Sequence, residues 1–173
     1  MSDTKIIRDG AIVADDWALL PTDYDAVFPS GKLIVPLNIF VSRQAELTVC
    51  AESVGVWMEG HDDLAPILNS IEKLPLIAIN FPKFTDGRGY STAALLRTRY
   101  GFKGELRAIG DVLRDQLFYM KRVGFNAFAV RADKDIADAL NALRDFSENY
   151  QASTDQPVPL FRRRALDASG SAA

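Results

Sequence analysis

Apolar and polar residues alternate along this chain in blocks whose lengths suit strands and helices. The clearest strand is Leu76 to Phe81, an almost wholly apolar run of the kind found where helices cover a sheet. The clearest helix lies at 136–146, where apolar residues recur at spacings of three and four. Short turns rich in Gly, Asp and Pro separate such blocks. The pattern predicts an α/β protein.

The order of the elements favours a parallel sheet. An N-terminal β-hairpin is predicted around Asp9-Gly10, a dipeptide typical of type I′ turns. About five strand–helix units follow, which implies parallel strands joined by right-handed crossovers. The strands are expected at 33–40, 54–58, 76–81, 105–109 and 126–130. The pattern favours an open parallel sheet with helices on both faces; the alternative is a half (β/α) barrel that pairs with a second copy.

The domain limits follow from the same pattern. Residues 1–151 are expected to form a single α/β domain, and residues 152–173, rich in Ala, Ser and Pro, a weakly ordered tail. Two helix starts are predicted inside the domain. Ser91 is expected to cap a helix over 92–100, and Asp111 to cap a helix over 112–123.

Composition narrows the chemistry. The single cysteine, Cys50, excludes an internal disulfide framework and a redox cysteine pair, and the single histidine, His61, excludes a multi-histidine metal site within one chain. A net charge of −3 gives no indication of nucleic-acid or membrane binding. Because the N-terminus lacks an apolar signal region and no apolar run approaches membrane-spanning length, a cytoplasmic protein is expected.

The overall charge hides an asymmetry. Residues 83–131 carry ten Lys and Arg against four Asp and Glu, in a chain whose total is 20 basic against 23 acidic residues. Such a basic centre in an acidic protein suits a small anion, a phosphorylated ligand or an acidic partner protein. The alternative for each of these cations is a place on the solvated outer face of a helix.

The candidate site lies where strands lead into helices, as parallel α/β proteins place their ligands at the carboxyl ends of strands. Two adjacent turns there, 83–91 and 108–111, are unusually polar. Gly87 and Gly89 are expected to take positive φ and expose amides, and Arg88 to offer a planar fork of donors to an oxyanion. Tyr90 is placed to offer a hydroxyl, while Ser91 is first of all a helix cap. The candidate ligand-binding residues are Asp86, Gly87, Arg88, Gly89, Tyr90, Ser91, Arg97, Arg107 and Asp111.

The turn is not a complete nucleotide motif. It matches the dinucleotide fingerprint Gly-x-Gly-x-x-Gly at its first two glycines only, because Thr92 stands at the third position. A Gly-Lys-Ser or Gly-Lys-Thr sequence, which a phosphate-binding Walker loop needs, is also absent from the turn. Nucleotide or flavin binding therefore rests on a partial motif.

Longer stretches resemble a known bacterial family. They are the run from Leu74 through Phe81-Pro-Lys-Phe-Thr-Asp-Gly-Arg-Gly-Tyr-Ser91, and the segments 97–116, 124–128 and 146–151. Together they resemble the bacterial domain-of-unknown-function family 934, over roughly residues 35–151 and most densely over 74–128. At Ile39-Phe40 the chain departs from the tryptophan-bearing pattern of that family.

The resemblance implies a role in sulfur metabolism. Members are sometimes labelled oxidoreductases, and their genes lie beside those for sulfite reductase and adenylylsulfate reductase. It thus implies an accessory protein of assimilatory sulfate or sulfite reduction. Such a protein would bind a small oxyanion or phosphorylated ligand, or dock on sulfite reductase or another sulfur-assimilation enzyme. The alternative is an oxidoreductase using bound NAD(P)H or flavin. Catalytic residues and cofactor are not assigned, and whether the chain is an enzyme stays open.

Overall fold

The structure, a computed structural model, describes residues 4–50, 53–146 and 149–164. Its strands are β1 (Lys5–Arg8), β2 (Ala11–Ala14), β3 (Trp17–Leu19), β4 (Lys32–Pro36), β5 (Ser53–Glu59), β6 (Leu76–Phe81), β7 (Glu105–Gly110) and β8 (Ala127–Phe128). Its helices are α1 (Leu37–Ser42), α2 (Gln44–Cys50), α3 (Ala65–Leu68), α4 (Arg88–Thr98), α5 (Arg114–Arg122) and α6 (Ile136–Ala142). A 3-10 turn, Ile71–Lys73, follows α3.

All eight strands form one sheet in the order β2-β1-β8-β7-β6-β5-β4-β3. Strands β3 to β8 are parallel to their neighbours and follow chain order, while the hairpin β1–β2 adds to β8 antiparallel. The predicted α/β class is confirmed. The half-barrel, which was the alternative arrangement, describes this sheet, which is open and strongly curled.

The curl has a simple covalent cause. Strands β2 and β3 lie at opposite ends of the sheet order, yet only Asp15 and Asp16 separate them in the chain. Eight strands laid flat would put these edges about 34 Å apart, whereas three peptide steps span at most about 11 Å. The stretch 11–19 therefore pairs with β1 through its first part and with β4 through its last. The sheet must curl until its two edges approach.

The hairpin forms as predicted, with Asp9 at φ 50° and Gly10 at φ 78°, the positive values that a type I′ turn requires. Strand β3 was missed, because three residues are too short a run for alternation to reveal. The predicted strand over 33–40 is wrong at its end: Pro36, at φ −65° and ψ 150°, ends β4, and α1 starts at Leu37. Proline cannot donate to a sheet but suits the position before a helix.

The two faces of the sheet bury different residues. On the outer face, alternate strand residues pack with helix residues in one large core, as Ile77 and Ile79 do with Leu96 and Leu117. The inner face has a smaller cluster of Ile34, Leu76, Ala78 and Ile109, flanked by Trp17, Trp57 and Ala129. The helix residues of both described clusters lie in the outer one, as right-handed crossovers between consecutive strands require.

A buried arginine lies on the inner face. Arg107 of β7 is 1% exposed and points away from its outward-packed neighbours Leu106 and Ala108. Its Nη1 donates to both carboxylate oxygens of Asp15 at 3.0 Å, and its Nε donates to Glu105 at 2.6 Å. Asp15 belongs to the two-residue link between the sheet edges. The ion pair therefore reaches from the middle of the sheet to the seam.

The C-terminal segment follows α6. Within the predicted tail, residues 152–164 are described, and residues 165–173 lie outside the described residues. Arg122 at the end of α5 contacts the start of this segment, donating to the Gln151 carbonyl at 2.6 Å and to Asp155 at 3.2 Å. No helix among the described residues combines the length and apolar character needed to cross a bilayer.

Trp57 provides a test of one hydrogen bond that holds the stretch 11–20 against the sheet. Its indole N–H donates to the Leu20 carbonyl at 2.8 Å, whereas the Trp17 indole makes no hydrogen bond among the described residues. We expect Trp57→Phe to lower the free energy of unfolding by about 1 kcal/mol more than Trp17→Phe, the net value of one such bond. Urea unfolding followed by circular dichroism measures both. Equal losses in the two variants would show that this bond does not help to hold the stretch in place.

Candidate functional site

The loops that follow β5 to β8 meet at one rim of the curled sheet, because parallel strands end on the same side. Asp111, directly after β7, connects three of these loops. It accepts a hydrogen bond from the Phe84 N–H at 2.9 Å and one from Arg131 Nη1 at 2.7 Å. Arg131 also holds Asp133 through two bonds of 2.6 and 2.9 Å. The predicted cap role of Asp111 is wrong, since α5 starts at Arg114.

The predicted anion-binding turn contains an anion of its own. Arg88 donates from Nε and Nη2 to the two carboxylate oxygens of Asp86, at 2.9 and 2.6 Å. The backbone N–H of Arg88, the first residue of α4, donates to the same carboxylate at 3.2 Å. The Asp86 side chain thus takes the place where an oxyanion was expected. Hydrogen bonds from Arg88 lower the pKa of Asp86 to about 2, so this carboxylate is ionised at any physiological pH.

The two glycines of the turn differ from prediction. The expected positive φ is wrong at both: Gly87 has φ −88°, and Gly89 lies inside α4. Gly89 is needed for packing, because a Cβ there would lie 2.8 Å from the Phe81 ring. A Cβ on Gly60 would lie 2.5 Å from the Gly89 nitrogen, so the start of α4 rests directly on the loop after β5. Gly60 thus lets two backbones approach each other, and Gly89 makes room for the Phe81 ring.

Ser91 and Tyr90 both lie within α4. The predicted cap at Ser91 is wrong, because the helix begins three residues earlier and Ser91 is exposed on its first turn. Tyr90 is half-buried, with its ring 5.2 Å from those of Phe81 and Tyr119. Burial raises the pKa of the Tyr90 hydroxyl, and a hydrogen bond with Gln116 opposes this rise. A neutral phenol near the rim can donate or accept a hydrogen bond.

Two of the predicted site arginines lie away from the rim. Arg97 donates to the carbonyls of Gly124, Phe102 and Gly104 at 2.7 to 3.0 Å. Its burial lowers its pKa. Arg107 is the inner-face residue paired with Asp15. Both therefore hold elements together, and the structure gathers Asp86, Gly87, Arg88, Tyr90 and Asp111 at the rim without them.

A second feature of the rim was missed. A cavity of about 470 Å³ opens at the ends of β4 and β5, with Trp57 and Pro36 among its walls and Glu59 and Asp62 at its polar side. Asn80 at the end of β6 donates to Glu59 at 2.8 Å, which links this cavity to the neighbouring strand. The sequence carried a signal for it: Glu59-Gly60-His61-Asp62 is also a polar turn after an apolar strand. No cluster of three His, Cys, Asp or Glu side chains suited to a metal ion occurs in the described part of the chain.

A matched pair of alanine substitutions tests the role of the glycines. We expect Gly89→Ala to lower the free energy of unfolding by about 1–2 kcal/mol, because overpacking against Phe81 outweighs the better helix propensity of alanine. Gly87→Ala should change it little, since the nearest atom to a Cβ there is 4.0 Å away. Urea unfolding gives both values. A larger loss for Gly87→Ala would contradict the packing account.

Comparison with known proteins assigns the chain to a family. No curated protein matches the chain. Residues 55–161 match the family described as "Bacterial protein of unknown function (DUF934)". The matched range runs from β5 through α6 and includes the Asp86–Arg88 pair, Asp111 and the Arg122 contacts with the C-terminal segment. Since the match covers more than half of its length, the chain belongs to this family.

Proposed function

We propose that this protein is an accessory binding protein of assimilatory sulfate or sulfite reduction, which holds a small oxyanion or a phosphorylated ligand at the turn formed by residues 86–91. The observation that supports the proposal is the bidentate ion pair between Arg88 and Asp86. Two guanidinium donors and one helix N–H hold a pair of carboxylate oxygens at 2.6 to 3.2 Å. Sulfate, sulfite and phosphate offer pairs of oxygens to a guanidinium in the same way.

Binding would proceed by exchange. The Arg88 side chain is 55% exposed, and ion pairs open to water are weak enough to change partners. An incoming oxyanion would displace the Asp86 carboxylate, while Arg88 and the start of α4 stay in position. Because Asp86 remains ionised above about pH 2, it competes with the ligand throughout the physiological range. The turn then favours anions that bind a guanidinium better than a single carboxylate does.

The electrostatics of the rim favour binding over proton transfer. General acid–base catalysis is most efficient when a side chain has a pKa near the working pH. Arg88 holds the pKa of Asp86 far below that range, and Arg131 lowers the pKa of Asp133 further still. Burial moves the pKa of Tyr90 upwards, away from neutrality. These groups are suited to fixed charge and hydrogen bonding.

The proposed place in sulfur assimilation rests on the resemblance to a family whose genes lie beside those for sulfite reductase and adenylylsulfate reductase. An oxyanion site agrees with that setting in chemical terms. The same exchange at Arg88 could also accept a carboxylate of a partner protein, so docking on sulfite reductase uses the chemistry of the same turn. Both versions need Arg88 to be free to leave Asp86.

A second candidate is an oxidoreductase with a bound nucleotide. The cavity beside Trp57 favours it, because about 470 Å³ with apolar walls is within the range of cofactor sites. Such a protein would release NAD(P)H or flavin on denaturation, or melt at a higher temperature when either is added. A colourless, nucleotide-free preparation whose melting does not respond would contradict this candidate.

Opposite substitutions in one ion pair test the first proposal. We expect Asp86→Asn to tighten sulfate or phosphate binding, because the internal competitor loses its charge. Arg88→Gln should weaken the same binding about tenfold, the effect of losing one charge-assisted contact. Arg99→Gln, at the other end of α4, is the control and should leave affinity unchanged. Isothermal titration calorimetry measures all three affinities.

The sign of the difference decides the outcome. If the pair serves the fold alone, both Asp86→Asn and Arg88→Gln will lower the melting temperature, and neither will change anion affinity relative to Arg99→Gln. Weakened binding in Asp86→Asn would also contradict exchange, since it would make the carboxylate part of the ligand site.

Docking has its own measurement. Complex formation with sulfite reductase should weaken as salt rises from about 0.05 M to 0.3 M, because screening shortens the range of exposed charges. Arg88→Gln should reduce this association, and Arg99→Gln should not. Analytical ultracentrifugation of the mixed proteins reports both. Failure to associate at every salt concentration would contradict docking and leave anion binding to be judged by calorimetry.

A further inference from the structure

Only some of the ten Lys and Arg of the basic centre, residues 83–131, take part in contacts at the rim. Of its ten cations, Arg97, Arg107 and Arg122 donate to internal carbonyls or carboxylates, and Arg88, Arg114 and Arg131 form exposed ion pairs. The remaining four make no ion pair among the described residues: Lys83, Arg99, Lys103 and Lys121. Three of these, Arg99, Lys103 and Lys121, lie at the opposite end of the sheet from the predicted turn.

Lys121 borders a cavity of about 420 Å³, here called the Lys121 cavity. It lies beside the hairpin turn at Asp9-Gly10 and Asn126, at the amino-terminal end of β8. Four apolar side chains line it, Phe125 and Phe128 around the start of β8 and Leu140 and Leu143 at the end of α6. Leu140 is half-buried and the other three show only a small part of their surface. A second cavity, of about 390 Å³, adjoins it at Lys121 and Phe125 and includes Lys103.

The charge at the mouth of the Lys121 cavity is positive. Lys121 and Arg144 are exposed, and no described carboxylate lies within ion-pair distance of either. The one acid in the lining, Asp9, already accepts a hydrogen bond from Asn126 at 3.0 Å. Asn126 in turn accepts one from Arg97 at 3.1 Å, and the nearby charge of Asp9 opposes the lowering of the Arg97 pKa by burial. Asp9 is thus compensated from within, while the two cations at the mouth are not.

We propose that the Lys121 cavity binds an amphipathic anion, a molecule with an apolar chain or ring and one carboxylate, sulfonate or phosphate group. The apolar part would lie on Phe125, Phe128 and Leu140 and leave water. The anionic group would lie at the mouth, between Lys121 and Arg144, where charge-assisted hydrogen bonds are available. The volume is within the range of small-molecule sites. This site is separate from the Asp86–Arg88 turn and does not depend on the function proposed for it.

Octanoate is a suitable probe, with octanol as the matched neutral molecule. The dye anilinonaphthalene sulfonate, itself an amphipathic anion, reports occupancy through its fluorescence in the full-length protein. We expect octanoate to displace the dye at concentrations where octanol does not. Displacement by both molecules at equal concentration would overturn the proposal, because the cations would then have no part in binding. So would a failure of octanoate to displace the dye.

Charge-removing variants locate the site. Lys121→Met and Arg144→Met keep an apolar stem, and both residues are exposed, so folding should be preserved and is checked by thermal melting. Each should weaken octanoate binding about three- to tenfold. Lys83→Met is the control: it removes an exposed, unpaired lysine at the other end of the sheet and should have no effect. Equal weakening in Lys83→Met, or none in Lys121→Met and Arg144→Met, would overturn the assignment.

Discussion

The two-residue link between β2 and β3 is the constraint on which the shape of this protein depends, and the ion pair between Arg107 and Asp15 stabilises the curl on the inner face. The chain passes from one edge of the sheet to the other through two residues, and one of them is Asp15. The Arg107 side chain is 2% exposed and that of Asp15 13%. Breaking a buried ion pair typically costs about 3–5 kcal/mol, and the second partner of Arg107, Glu105 at 2.6 Å, offsets part of this cost. The short link therefore forces the sheet to curl, and the ion pair on the inner face stabilises the curled form.

The strand order decides what lies at each end of the sheet. Because β6, β7 and β8 are parallel neighbours, the loops that follow them are adjacent, and Asp111 bonds Phe84 and Arg131 there. At the amino ends, the hairpin turn, α5 and α6 surround the Lys121 cavity, whose two cations make no ion pair among the described residues. The rim pairs its charges internally, whereas the Lys121 cavity does not. The two ends of one sheet thus offer different chemistry to a ligand.

The sequence was enough to predict the elements that are determined by their own residues. The Asp9-Gly10 turn and the apolar strand β6 were predicted from their own residues, and both formed. Arg88 and Arg107 look alike in sequence, yet one lies at the solvent-exposed rim and the other inside the curl. The difference comes from Asp15, which is 92 residues away. A pattern within one segment carries no information about such a partner.

The glycines show the same limit. Gly87 and Gly89 suggested a phosphate-type loop, but Gly89 is small because the Phe81 ring lies where its Cβ would be, and Gly60 is small because its backbone lies against the Gly89 nitrogen. That contact joins two loops and could not be inferred from either one. Asp86 illustrates a further point: a turn whose residues suit an anion can satisfy itself with its own carboxylate. The sequence predicted an anion site at the turn and could not indicate that the Asp86 carboxylate lies against Arg88 there.

A double-mutant cycle on Arg107 and Asp15 measures how strongly their ion pair stabilises the curled sheet. The free energy of unfolding is measured for Arg107→Met, Asp15→Asn and the double variant, with Lys32→Met and Asp16→Asn as the reference cycle for an exposed pair. We expect a coupling energy of about 2 kcal/mol or more for the buried pair, and less than about 1 kcal/mol for the exposed one. A coupling near zero between Arg107 and Asp15 would contradict the claim that this contact holds the curl.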